Sequence, residues 1–427
     1  MIDVRRLRSD PDGSRASLAR RGDAGVLAQL DRILALDRRR RELLTRAEAL
    51  KAQRNAASDE VARRKKNREP ADELLVELKA SGDEVKALDA DVRGVDAELE
   101  AAVLLVPNFP LENVPDGAAA ANRVVRSWGE PCTFDFAPRA HWEIGESLGI
   151  LDLPGGAKVA GSGFPIYRGQ GARLVRALAN FMLDLHTREH GYEEIAPPYL
   201  VNRTTMTGTG QLPKFAEELY AVPSDDLFLI PTAEVPVTNI HRDEILDGAR
   251  LPIGYCAWTP CFRREAGAHG RDTRGLIRVH QFDKVELVRF VAPDRSEAEH
   301  ERITREAETV LQRLGLPYRV VELAAGDTGH ASARTYDLEV WAPGVAAWLE
   351  VSSASTFTDY QARRANIRYR PEPGAKPEFV HTLNASGVAF PRCIVALLEN
   401  GQQADGCVRL PAALVPYVGV EQLGPPA

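Results

Sequence analysis

At 427 residues and 44% hydrophobic content, the chain has room for two or three domains and a large core. Its net charge of −7 gives no whole-chain signal for nucleic acid, and five cysteines without C-x-x-C spacing exclude a disulfide framework and a zinc site. No apolar run approaches a membrane span and the first residues hold no signal-peptide core, so a cytoplasmic protein with reduced thiols and no membrane partner is expected.

The first elements carry an uneven charge. Residues 1–70 hold 19 Lys+Arg against 11 Asp+Glu, an excess of eight that leaves the remaining chain at −15. A basic N-terminal part on an acidic body suits a polyanion-binding appendage. Residues 1–25 are mixed, with a turn predicted at Pro11-Asp12-Gly13. From Val26 to Lys66 glycine and proline vanish. Leu30, Ile33, Leu44, Ala47, Leu50, Ala57 and Val61 recur at three–four spacing, with Asp37 as an exception. The pattern breaks at Asn67-Arg68-Glu69-Pro70. It resumes with Leu78, Val85, Val92 and Leu99 at sevens, interleaved with Ser81, Leu88, Val95 and Ala102. Two long helices with a/d seams, joined tightly, predict an antiparallel arm of roughly 50–60 Å. Its tip carries Arg63, Arg64, Lys65 and Lys66, and its first helix Arg38, Arg39, Arg40 and Arg41. Only Asp37 and Glu42 flank the arginine run. That favours contact with a phosphate backbone, with a solvated, salt-paired face as the alternative.

Pro107, Pro110, Pro115 and Gly117 mark a linker, giving a 1–105 arm and a 118–427 body. In the body, helices are predicted at Leu174–Glu189, Ala298–Arg313 and Arg392–Glu399. Strands are predicted at Ile195–Val201, Leu227–Ile230, Ile253–Phe262, Leu276–Val288, Tyr318–Glu322, Tyr336–Val340 and Ala347–Val351. Strands in hairpin-like succession with helices between them give an α+β class with an antiparallel sheet. The absence of G-x-G-x-x-G and G-x-x-x-x-G-K-[ST] argues against Rossmann and P-loop nucleotide sites.

The most informative stretch runs from Phe262 to Val288. It reads as two strands around a loop with Gly267, Gly270, Gly275, Arg271 and Arg274. Arg263 and Glu265 alternate onto one face, as do Arg278, His280 and Phe282, followed by Lys284 and Glu286. Guanidinium forks, carboxylates and an aromatic ring suit a ligand with phosphates, an amine and a flat base. Blander readings stand beside this one. The hairpin face could be salt-bridged and solvated, with Glu286 half of a surface ion pair, Thr232 a strand-end hydroxyl and Ser386 a turn residue.

These pieces, in this order, resemble the bacterial type of the seryl-tRNA synthetase family, a class II aminoacyl-tRNA synthetase. The resemblance spans MIDVRRLR, the arm, HWEIGESLGILDLPGGAKVAGSGF (141–164), GARLVRALANFMLDLHTREHGYEEIAPPYLVN (171–202, similar to motif 1), PTAEVPVTN (231–239), the hairpin (motif 2), YDLEVWAP (336–343), EVSSASTFTDYQARR (350–364) and HTLNASGVAFPRCIVALLENGQQADGCVRLPAAL (381–414, motif 3). It implies an arm on a class II catalytic domain whose antiparallel sheet is flanked by helices. The implied activity is serine activation by ATP and transfer of serine to tRNA(Ser), and to tRNA(Sec) where the host has one. Arg263, Glu265 and Arg392 are implied as the catalytic set. ATP falls to Arg263, Arg264, Glu265, Phe282, Glu350, Val351, Ser352, Ser353 and Arg392. Serine falls to Thr232, Ala233, Glu234, Glu286 and Ser386, and Mg²⁺ to Glu350 and Ser353. The tRNA falls to the arm residues named above with Arg271 and Arg274. A homodimer and no zinc complete the expectation.

Two departures from the family pattern stand in motif 3. Ala385 replaces a glycine, and Phe390-Pro391 precede Arg392, so the helix bearing Arg392 is expected to start with proline in its first turn. Ala354 also stands where cysteine is common. These changes open a further expectation, a specialised copy tolerant of a serine-mimicking inhibitor. Two competing classes are a carrier-protein ligase, which would lack the arm, and a non-catalytic relative, which would lack Arg263, Glu265, Glu286 or Arg392.

Overall fold

The computed structural model describes residues 1–266 and 274–424. It divides into two units, one of Ile2–Ala19 and Asp23–Pro107, the other of Met1, Arg20–Gly22 and Asn108–Ala427.

The first unit is helical: α1 (Val4–Ser9), α2 (Pro11–Ala19), α3 (Ala24–Asn67) and α4 (Asp72–Leu104). The turn expected at Pro11-Asp12-Gly13 is instead the first turn of α2. Proline suits the first helical position, and Asp10 Oδ1 accepts the Gly13 N–H at 2.9 Å. Asp23 caps α3 by accepting from the Gly25 N–H, and Arg68, at φ 60, ends it in the left-handed region. At 1.5 Å per residue α3 is roughly 65 Å long. Leu30, Ile33, Ala47 and Val61 of α3 and Val85, Leu88, Val95 and Ala102 of α4 are buried, as the seam requires. Asp37 is tolerated in that seam because Arg8 and Arg41 hold its two oxygens at 2.7 and 3.1 Å.

The second unit is built on an eight-stranded sheet. Its strands are β1 (Arg123–Trp128), β2 (Glu193–Glu194), β3 (Ile253–Phe262), β4 (Gln281–Val291), β5 (Tyr318–Glu322), β6 (Arg334–Ala342), β7 (Ala347–Thr356) and β8 (His381–Ala389), in spatial order β1-β5-β6-β7-β8-β4-β3-β2. All neighbours are antiparallel except β2 with β3. Helices α5 (His141–Ser147), α6 (Gln170–Arg188), α7 (Ser296–Arg313) and α8 (Phe390–Gly401) share one continuous core with the sheet. The pleat divides β4 cleanly. Val285 and Leu287 enter that core, while Lys284 and Glu286 take the opposite face. No described helix is long and apolar enough to cross a membrane.

Two expected strands change, while Ile253–Phe262 forms with the expected bounds. The segment 195–201 is not one strand: β2 ends at Glu194, and Leu200–Asn202 joins a separate small sheet. Pro197-Pro198, lacking N–H groups, breaks the ladder between them. The strand expected from Leu276 begins only at Gln281, and β3 stops at Phe262, so Arg263 and Glu265 lie beyond the ladder. Glu265, at φ 50, has left extended geometry altogether. Strand β8 had no strand signal, because its cleft-facing positions are polar. Pro391 does sit in the first turn of α8.

Candidate active site and basic arm

One cavity of about 540 Å³ opens on the sheet face opposite the main core. Strand β4 supplies Phe282 and Lys284, β7 supplies Glu350, Val351 and Ser353, and β8 supplies Asn384 and Ser386. The loop before the short helix Glu234–Thr238 adds Thr232, and that helix adds Glu234. Arg263, Glu265 and Arg392 complete the wall.

The polar end is a continuous network. Lys284 Nζ donates to Thr232 Oγ1 at 2.9 Å and pairs with Glu286. Asn384 Nδ2 donates to both Glu286 Oε1 (2.9 Å) and Glu234 Oε2 (3.0 Å). Gln361 Nε2 donates to the other Glu234 oxygen, and Thr382 Oγ1 donates to Gln361 Oε1 at 2.7 Å. Glu286 lies opposite Ser386 in the β4–β8 register, so their side chains are neighbours. Burial, then the charge of Glu286, pushes the Glu234 carboxyl up to about 7. Burial raises Glu286 as well, against the pull of Lys284. Asn384 Oδ1 is buried with no protein partner. A buried acceptor left open costs free energy unless a ligand fills it.

The other end is cationic and aromatic. The Arg263 guanidinium lies 5.2 Å from the Phe282 ring centroid, and its Nε donates to the Pro231 carbonyl at 3.3 Å. Glu265 pairs with Arg278. Arg392 donates from Nε to the Ile277 carbonyl (2.9 Å) and from Nη1 to the Glu350 carbonyl (2.8 Å). Ser353 Oγ donates to Asp337 Oδ1 at 2.6 Å, and burial, then Glu350, raises the Asp337 carboxyl. Between Ser386 and Arg392, buried Val388 sits at φ 114, a strained value for a β-branched residue at the β8–α8 junction.

The expected site residues divide three ways. Thr232, Glu234, Arg263, Glu265, Phe282, Glu350, Val351, Ser353, Ser386 and Arg392 line the cavity together. Ala233 is packed in a hydrophobic cluster, and Ser352 points away, its hydroxyl on the Ser386 carbonyl. Arg264 does not line the cavity, and Glu286 lies behind Lys284, 1% exposed: an ion pair, but a buried one. Gly267, Gly270 and Arg271 lie outside the described residues. Arg274 stacks over Trp142 at 4.5 Å. The sequence placed Lys284 on the hairpin face without a role at the site, and it did not single out Asn384. Each stands two positions before an expected one, Glu286 and Ser386, and the period of two could have found both. Gln361 and Asp337 come from distant elements and gave no local signal.

On the arm, pairing is selective. Arg40 pairs with Asp96 and Arg41 with Asp37, while Arg63 and Arg64 share Glu60. Arg38, Arg39, Lys65 and Lys66 make no ion pair among the described residues and are exposed.

An antiparallel sheet bearing a cation-and-aromatic face beside a small buried polar pocket, without a P-loop, defines a class II aminoacyl-tRNA synthetase core. The family model for the tRNA synthetase class II core domain (G, H, P, S and T) matches residues 220–401, and that for the seryl-tRNA synthetase N-terminal domain matches residues 1–110. The chain belongs to the seryl-tRNA synthetase family. It is 58% identical to the serine–tRNA ligase of Gemmatimonas aurantiaca over 98% of this chain and 99% of that protein. It is 54% identical to that of Carboxydothermus hydrogenoformans over 99% of each. The crystal structure of seryl-tRNA synthetase from Pyrococcus horikoshii complexed with ATP superposes with a TM-score of 0.96 at 38% identity, covering 100% of both chains. The cytoplasmic serine–tRNA ligase of Naegleria fowleri in complex with AMP gives 0.89 at 30% identity, over 100% of this chain and 99% of that one.

Proposed function

We propose that the chain joins L-serine to ATP and passes the seryl group to the 3′ end of tRNA(Ser). One observation carries this reading: a single cavity is lined both by Glu234 and Asn384, with Glu286 bonded to Asn384 from behind, and by the Arg263–Phe282–Arg392 face. A serine carboxylate oxygen attacks the α-phosphorus, and the bond to pyrophosphate breaks. Charge grows on phosphoryl oxygens, so fixed cations supply most of the acceleration. Arg263 holds the α-phosphate and the serine carboxylate, Phe282 stacks on adenine with Glu265 beside it, and Arg392 meets the outer phosphates. In the second step a terminal tRNA hydroxyl attacks the acyl carbon, its proton passes to an oxygen of the adenylate phosphate, and AMP leaves with the bridging oxygen. No side chain has to act as general base, because the carboxylate that attacks in the first step is already ionised and the phosphate takes the proton in the second.

Serine's ammonium sits against Glu234 and the open acceptor Asn384 Oδ1, with Glu286, paired to Lys284, behind them. Thr232 and Ser386 face its hydroxyl. A polar pocket rejects alanine, whose binding would leave these groups unpaired, and lack of room rejects threonine. Glu350 and Ser353, with Asp337 behind, form an oxygen-only donor set that suits Mg²⁺ shared with phosphates. The metal, when bound, neutralises charge on those phosphates. Among the described residues, no group of three or more His, Cys, Asp or Glu could hold an ion.

The proposal extends to a homodimer built on α6, to tRNA binding through Arg38, Arg39, Lys65 and Lys66, and to tRNA(Sec) where one exists. The reading also extends to a specialised inhibitor-tolerant copy, motivated by Ala385, Phe390 and Pro391, with Ala385 buried beside the Ser386 position. The test is charging of tRNA(Ser) with serine against alanine and threonine. Serine is expected to win by orders of magnitude, and equal use of alanine would refute the pocket assignment.

The Glu234 shift gives a pH dependence. Its carboxyl rises to about 7 through burial, so it is neutral below that pH and binds an ammonium weakly there. kcat/KM for serine is expected to climb as pH rises through about 7 and then level off. Glu234→Gln removes that limb and lowers the plateau roughly tenfold, the worth of one charged hydrogen bond. The linkage has the opposite sign for stability. The native state holds a proton that the unfolded chain releases above the usual carboxyl value, so this group destabilises the fold as pH rises to about 7.

A further inference from the structure

Residues 276–280 belong to no strand, yet 276–279 form part of the cavity wall. Their backbone groups need partners other than a ladder. The Leu276 N–H, in a residue 1% exposed, donates to His141 Nε2 at 3.0 Å. The Ile277 carbonyl accepts from Arg392 Nε at 2.9 Å. Next along, the His280 N–H donates to the Gly163 carbonyl at 2.8 Å, and the His280 carbonyl accepts the Arg263 N–H at 2.9 Å.

His141 and Glu399 are both fully buried. Glu399 Oε1 accepts from the His141 backbone N–H at 3.0 Å and from Nδ1 at 2.8 Å. Its Oε2 accepts the Gly344 and Val345 N–H groups at 2.8 and 3.2 Å. A backbone N–H only donates, so Nε2 offers its lone pair to Leu276 and Nδ1 carries the proton. Glu399 thereby fixes the tautomer that Leu276 requires. The approach is close enough to demand glycine next door. Gly275 has φ +69, and a Cβ there would stand 2.2 Å from His141 Nε2.

Arg392 and Glu399 lie seven residues apart on α8, two helical turns, and so share a face. One grips the Ile277 carbonyl directly, and the other reaches the adjacent Leu276 N–H through His141. We infer that the His141–Glu399 pair is a positioning device for the nucleotide, a two-point clamp that sets residues 276–278 against α8 and so aims Arg392. Neither His141 nor Glu399 lines the cavity, so both act through other residues. The inference rests on the proposed reading of this face as the ATP site.

The test compares His141→Gln, which places an acceptor where Nε2 stood, with His141→Asn, which keeps only the donor toward Glu399. ATP–pyrophosphate exchange gives the KM for ATP and for serine, and thermal unfolding is followed alongside. His141→Asn is expected to raise the KM for ATP roughly tenfold with the KM for serine unchanged, because a buried donor is left open. His141→Gln is expected to stay within about threefold of the parent chain. Equal KM values for ATP in the two variants, or equal rises for both substrates, overturn the inference. Amide exchange at Leu276 in the unmodified protein guards against a variant that fails to fold. Slow exchange is expected there although no strand contains it, and fast exchange overturns the clamp. Absence of any exchange activity in the unmodified protein would instead count against the proposed function.

Discussion

Arg263→Leu is expected to lower serine-dependent ATP–pyrophosphate exchange by about 10³-fold, with the melting temperature within a few degrees of the parent. The two halves of that expectation come from different observations. The loss follows from placement: Arg263 stands at the meeting of the polar pocket and the Phe282 face, where serine's carboxylate and the α-phosphate must come together. A delocalised fork there can bind both groups bidentately as charge develops. The unchanged stability follows from its surroundings. The residue is exposed, lies past the end of β3, and its side chain hydrogen-bonds the Pro231 carbonyl at a long 3.3 Å. Arg263→Lys keeps the charge without the fork and is expected to recover part of the rate, roughly tenfold. A melting temperature that falls in step with activity would point to a structural role instead.

Removing residues 30–100 is expected to leave serine-dependent exchange intact and to abolish charging of tRNA(Ser). The helical unit carries its own buried seam, and no arm residue lines the cavity. A finer version uses the pairing seen on the arm. Replacing Arg38, Arg39, Lys65 and Lys66 by serine removes cations that have no ion-pair partner among the described residues. The KM for tRNA is then expected to rise at least tenfold. The slope of affinity against log salt is expected to flatten by about 0.7–0.9 for each phosphate that is no longer neutralised. Replacing Arg40 and Arg41 removes partners of Asp96 and Asp37, and breaking the buried Asp37 pair is expected to appear first as lower stability of the arm. Charging that survives deletion of the arm would refute its assigned role.

The sequence made the arm almost fully legible. Seven-residue spacing of Val85, Val92 and Leu99, with Leu88 and Val95 between, needs no tertiary information to specify a seam. Its exception, Asp37, could not be explained locally, because one of its partners, Arg8, comes from α1. Strands β5, β6 and β7 were legible for the same reason, as apolar alternation survives where a strand faces the core. Legibility failed where chemistry displaced packing. Strand β8 presents Asn384 and Ser386 to the cleft, and Leu276 and Ile277 exchange a ladder for side-chain partners on α5 and α8. Those bonds join residues more than 100 positions apart, such as His141 to Leu276, and no window along the chain contains them. The hairpin face from Arg263 to Glu286 was read from alternation, and the other named site residues came from the family resemblance. Asn384, and the role of Lys284, emerged only when the strands were paired.

The central claim is that this chain makes an acyl phosphate anhydride from serine. The direct measurement is chromatographic or mass detection of seryl-adenylate on the purified protein after incubation with serine, ATP and Mg²⁺ in the absence of tRNA. The expected result is about one enzyme-bound seryl-adenylate per active site, released as seryl-tRNA and AMP when tRNA(Ser) is added. ATP and serine recovered unchanged, with no adenylate and no pyrophosphate from a protein that remains folded, would contradict the account.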